Sequence, residues 1–175
     1  GTNVGVHFET DWVIVCQKRS GLIGQGEHEQ YVQFRAWCFE QMEPLWNVLN
    51  TRFVLFGEWL YCLHGVPYDK LPAYFMAFDV YDKTEKCFLS HDRVVELLGD
   101  VVPMVPTLAT KWTGDVKELA ALVQQSKFSS NEQAEGVYIR FESKGKVVER
   151  LKYRRKSFTA GRSDFNKKII KNKLV

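Results

Sequence analysis

No stretch of the chain approaches the eighteen consecutive apolar residues that a membrane span requires, and its start shows no basic region followed by an apolar one. The expectation is therefore a soluble protein without a signal peptide or a membrane partner. Cysteine is scarce: Cys16, Cys38, Cys62 and Cys87 stand 22, 24 and 25 residues apart, with no C-x-x-C pair and no histidine at zinc-finger spacing. A disulfide framework and a structural zinc site are thereby disfavoured, and reduced, mostly buried thiols in an intracellular, cytoplasmic protein are expected. Internal repeats and low-complexity linkers are missing too, which argues for one domain.

What is present supports a sizeable core, since 45% of the 175 residues are hydrophobic and 26% charged. The net charge of +3 conceals an asymmetry. Residues 144–175 hold 12 Lys and Arg against 2 acids, and residues 1–143 hold 12 against 19, leaving +10 and −7. Such a cationic run suits a solvated tail, and equally a surface that meets phosphate or nucleic acid.

Residues 3–9 alternate, with Val4, Val6 and Phe8 on one face, and "ETD" turns the chain into apolar 12–16, the signature of a hairpin. From Glu29 to Leu49, Tyr31, Phe34, Cys38, Met42, Leu45 and Leu49 follow the 3–4 spacing of one helical stripe. Strand-like segments at 52–62 and 74–82 flank "LHGVPYDKLPA". Ser90 and Gly99 bracket a short helix, and Thr113 caps a second that runs to Gln125. "EGVYIRFES" and "KVVERLKYRR" form a hairpin around "KGK", and "SDFNKKIIKNKL" reads as a terminal helix. The class is α+β, a single domain built on antiparallel sheets with helices inserted between them.

Several polar residues stand out on these strands. Glu58 interrupts an apolar strand, where a carboxylate must be paired, hydrogen-bonded or bound to something. Glu135 beside Gly136, and Lys152 between Leu151 and Tyr153, raise the same choice between an ion pair and a site. Phe78 suits a core as well as a stacking platform. Asn3 suits a turn as well as a pocket.

In order along the chain, "GTNVG", "QKRSG", "FGEWLY", "YFMAFDVYD", "EGVYIRFE" and "RLKYRR" resemble the successive motifs of the ATP-dependent RNA ligases, within the covalent nucleotidyltransferase superfamily of DNA ligases and mRNA capping enzymes. The block "FGEWLYCLHGVPYDKLPAYFMAFDVYD" is similar to the branch that includes the phage T4 second RNA ligase and its bacterial relatives. The resemblance implies the ATP-grasp-like adenylation domain of DNA and RNA ligases across residues 1–175. It implies an enzyme that uses ATP, as AMP carried on lysine, with Mg2+ or Mn2+, to join RNA 5′-phosphate and 3′-hydroxyl ends, typically at nicks in duplex RNA. A lysine attacks only when unprotonated, and a divalent metal offsets triphosphate charge.

Residue by residue, the resemblance makes Arg19 a nucleotide contact, Glu58 the partner of the ribose hydroxyls and Phe78 the platform under adenine. It places Glu135 near the phosphates and the metal, and Lys152 on the α-phosphate, with Arg150 and Arg154 two residues to either side on the same strand face. Asn3 belongs to the pocket. The family's nucleophile lies in E-K-x-x-G-T-N, so that Gly1 takes the place of the motif glycine and the attacking lysine falls upstream of it. Lys18, despite its K-x-x-G setting, is then at most a phosphate contact, and the chain as given is expected to be truncated and inactive in self-adenylylation. Rival readings are a DNA ligase or capping-type enzyme, and a non-catalytic nucleotide- or RNA-binding module.

Overall fold

In the computed structural model, which describes residues 1–158 and 169–175, twelve elements follow one another. They are β1 (Thr2–Phe8), β2 (Ile14–Lys18), β3 (Gly21–Leu22), α1 (Glu29–Glu40), α2 (Met42–Leu49), β4 (Phe53–Trp59), β5 (Phe75–Asp82), β6 (Cys87–Phe88), α3 (His91–Leu98), α4 (Val116–Leu122), β7 (Gly136–Ser143) and β8 (Lys146–Arg154). Six strands form an antiparallel sheet in the order β3-β2-β1-β4-β5-β6, and β7 and β8 form a separate hairpin.

The alternation in β1 puts Val4, Val6 and Phe8 on one face, where they join Phe34 and Cys38 of α1 and Leu45 and Leu49 of α2 in the main core. The apolar sides of β4 and β5 (Leu55, Trp59, Phe75, Ala77, Val80) complete it, with Val94 and Leu98 of α3. The opposite face of the sheet meets the β7–β8 hairpin, and α4 covers the hairpin's far side through Leu119, Val123 and Val137. A polar cleft between the two sheets follows from this layering.

Three expectations are corrected. The 29–49 stripe is two helices, interrupted at Gln41, because Pro44 has no N–H to donate and is tolerated only in a first turn. The second short helix is capped by Asp115, whose side chain accepts from Lys117 N, and it ends at Leu122; Thr113 Oγ1 instead donates to Glu118. The expected terminal helix falls partly outside the described residues, and residues 169–175 are not helical: Lys171 bridges Cys62 and Leu174 bridges Leu71. The cysteines are free, three of them buried.

Candidate functional site between the two sheets

Register places the first site residues. Asn3 stands opposite Glu58 across the β1–β4 ladder, and Glu58 opposite Met76 of β5. A bulge at Phe56/Gly57 leaves Phe78 without a partner on β4 and brings Asp79 opposite Phe56. Gly57 is required at this bend, since a Cβ there would stand 2.4 Å from the Phe75 ring and 2.7 Å from the Met76 carbonyl oxygen.

The hairpin supplies the facing wall. Tyr138 pairs in register with Lys152, and Arg140 with Arg150, so all four share the face turned to the sheet. Gly136 leaves room for the β8 backbone: a Cβ there would lie 2.0 Å from the Tyr153 carbonyl oxygen. Next to it, Glu135 Oε1 accepts a hydrogen bond from Lys152 Nζ at 2.9 Å. The Phe78 and Tyr138 rings meet edge to face at 6.3 Å.

Electrostatics tie these walls together. Burial raises the Glu58 carboxyl above its ordinary value, opposed first by the Gly1 ammonium 3.9 Å away and then by the Lys152 ammonium, and reinforced by Glu135. The side chain is still 35% exposed, at the mouth of the cleft. Tyr68, from the loop between β4 and β5, has its phenol pushed up to about 12 by burial first and then by Glu58 and Glu135. Burial, with Asp79 beside it, likewise raises Tyr138 to about 12.

Beneath the cleft lies a brace of charge. Arg140 donates to the carbonyls of Phe78 at 2.9 Å and Leu89, and its guanidinium is 3.2 Å from buried Asp79. Arg150 lies 3.6 Å from Asp79 and stacks 3.7 Å above the Phe88 ring.

The structure thus brings together Asn3, Glu58, Phe78, Glu135 and Lys152. Arg154 is exposed on β8 opposite Gly136, at the edge of that group. Arg150 is drawn down into the Asp79 brace. Arg19 is exposed just past the end of β2, next in register towards Asn3. Lys18 stands apart: it pairs with Val4, on the helix-facing side of the sheet, forms an ion pair with Glu27 and lies 5.0 Å from the Tyr31 ring centre.

Sequence reasoning did not single out Tyr68, Asp79 or Tyr138. Tyr138 carried a signal, alternating with Gly136 and Arg140 on one strand; Tyr68 sits in an irregular loop, where periodicity is silent. Among the described residues, no group of three or more His, Cys, Asp and Glu side chains is disposed to hold a metal ion.

The model of the RNA ligase family matches residues 1–154. No curated protein matches the sequence. Among solved structures, the chain is similar to Naegleria gruberi RNA ligase with PPi (20% identity, TM-score 0.61) over 88% of this chain and 46% of that one. It is similar to a lysine-to-alanine mutant of the same ligase with ATP and Mn (19% identity, TM-score 0.60) over 88% of this chain and 47% of that one. The chain therefore spans about half the length of these structures, and the likeness is one of fold.

Proposed function

Because the chain belongs to the RNA ligase family, we propose that residues 1–175 are its nucleotidyltransferase domain, which binds ATP with a divalent cation and serves the joining of RNA 5′-phosphate and 3′-hydroxyl ends. The observation that carries this reading is the meeting of Glu58 with Glu135 and Lys152, where Lys152 stands in register with Tyr138, whose ring contacts Phe78.

The chemistry of each group suits a nucleotide. Phe78 offers a half-buried ring to adenine, whose π-face needs no hydrogen bond to be held. Glu58 accepts from the ribose hydroxyls, and binding offsets the cost of its burial. Lys152 neutralises an α-phosphate oxygen once it leaves Glu135, which then supplies an oxygen to a cation arriving with the triphosphate. One carboxylate is too few for a resident metal site, so the cation enters with its nucleotide. Asn3, Arg19 and Arg154 line the rim of the same pocket, and Arg150 acts on it through Asp79.

On this reading Lys18 is not the nucleophile, since it faces the helices. Residues 1–175 then bind ATP, and Lys18 carries no covalent AMP. Among RNA ligases, the block at residues 56–82 favours the branch similar to the phage T4 second RNA ligase, and hence nicked duplex RNA as substrate. Isothermal titration with ATP and Mn2+, followed by peptide mapping, tests the reading. Reversible binding that Glu58→Ala and Phe78→Ala each weaken is expected; AMP covalently attached to Lys18, or binding indifferent to both substitutions, would overturn it.

A further inference from the structure

A second polar cleft opens where the loop carrying Tyr68 meets the loop after α4. Asp69 N and Lys70 N both donate to the Phe128 carbonyl at 3.1 Å, and the Tyr68 and Phe128 rings pack edge to face at 6.3 Å. The cleft, about 370 Å³, is lined by Lys70, Gln125, Ser126, Lys127 and Ser129. We propose that it holds a backbone phosphate of the RNA strand, a proposal that rests on the nucleotidyltransferase reading and adds a substrate site to it.

Three observations favour an anion there. Lys70 and Lys127 are exposed, and neither forms an ion pair among the described residues. The Ser129 hydroxyl lines the cleft and makes no hydrogen bond among the described residues, so it is available to donate to an anion there. Ser126 Oγ accepts from Phe128 N at 3.1 Å and so keeps its own proton free to donate.

The nearby acid is already spoken for. Asp69 accepts from Ser130 N at 2.9 Å, and hydrogen bonding to Ser130, first by its side chain, holds its carboxyl below the ordinary value. It braces the loop and stays charged, so the two lysines outnumber one carboxylate at the cleft. A phosphodiester suits this set because it carries one charge and accepts several donors.

The cleft is also connected to the first site. Tyr68 is two residues from Lys70, and its phenol lies within electrostatic reach of Glu58 and Glu135. A strand pinned at Lys70 and Lys127 is thereby guided towards the nucleotide.

The test uses the 175-residue chain, a nicked RNA duplex with a 5′-phosphate, and fluorescence anisotropy across a salt series. Lys70→Glu/Lys127→Glu should weaken RNA binding about tenfold or more at low salt and flatten the log–log salt slope by about two. ATP affinity should stay within about twofold. The charge-matched control Lys111→Glu/Lys117→Glu should lose far less, and Lys70→Arg/Lys127→Arg should restore binding. Equal loss in the control, or unchanged RNA binding, overturns the cleft alone. Loss of ATP affinity rather than RNA affinity also overturns it, by assigning the lysines to the nucleotide. A chain that binds neither ATP nor RNA sinks this proposal and the nucleotidyltransferase reading together.

Discussion

Glu58, the carboxylate proposed to hold the ribose, is kept at a cost to the fold. Burial raises its pKa, so the folded chain holds the proton more tightly than the unfolded chain does. Stability contributed this way is full below the ordinary carboxylate value and is lost as pH rises towards the folded value. Glu58→Gln is therefore expected to melt higher than the parent at pH 7, with the gap closing near pH 4, while ATP affinity falls; differential scanning fluorimetry at both pH values beside a titration checks this. Phe78→Ala should lose roughly 1 to 3 kcal/mol of nucleotide binding, the worth of one stacked base. Its melting temperature should change little, because the ring is only half-buried. Lys18→Arg should leave ATP affinity unchanged, since its ion pair with Glu27 lies on the other side of the sheet.

The hairpin β7–β8 is the element on which the site depends, because it touches the larger sheet mostly through polar groups. Arg140→Met removes the donors to the Phe78 and Leu89 carbonyls and the closer of the two guanidiniums beside buried Asp79, which keeps Arg150 and the Tyr138 hydroxyl, a loss expected to cost about 2 to 4 kcal/mol in urea unfolding. Lys152→Met, on the exposed edge of the same strand pair, should leave stability nearly unchanged and reduce ATP affinity. The hairpin was legible in the sequence because its alternation and Lys144–Gly145 turn are local. So was β1, whose Val4, Val6 and Phe8 announce a buried face. The break at Gln41 was not, because the apolar spacing runs through it; Pro44 was the signal that outweighed the periodicity. Arg150 and Lys152 look equivalent on a strand face, and only the position of Asp79 on another strand separates a brace from a pocket cation.

Across the whole molecule, the cationic C-terminal stretch is less of a free arm than its charge suggests. Asn172, 4% exposed, donates to the carbonyls of Leu60 at 2.8 Å and Cys62 at 3.2 Å, and accepts from Tyr68 N at 3.0 Å. Tyr74 Oη donates to the Asn172 carbonyl at 3.2 Å, so one residue near the end of the sequence holds both ends of the loop that carries Tyr68. Lys171 and Lys173, on either side of Asn172, are exposed, and the Lys171 ammonium rests 4.7 Å from the Tyr61 ring centre. The same seven residues therefore do two separable things: an inward asparagine closes the fold, and outward lysines extend the positive surface. Asn172→Ala leaves several buried backbone groups unanswered and should cost about 2 to 4 kcal/mol in urea unfolding, with ATP affinity falling as the Tyr68 loop loosens. Lys171→Gln/Lys173→Gln should keep the urea midpoint close to the parent's and ATP affinity unchanged, and should flatten the salt dependence of RNA binding. If the double lysine variant unfolded as early as Asn172→Ala, the cations would belong to the fold, and the division between an inward clamp and an outward charged face would fail.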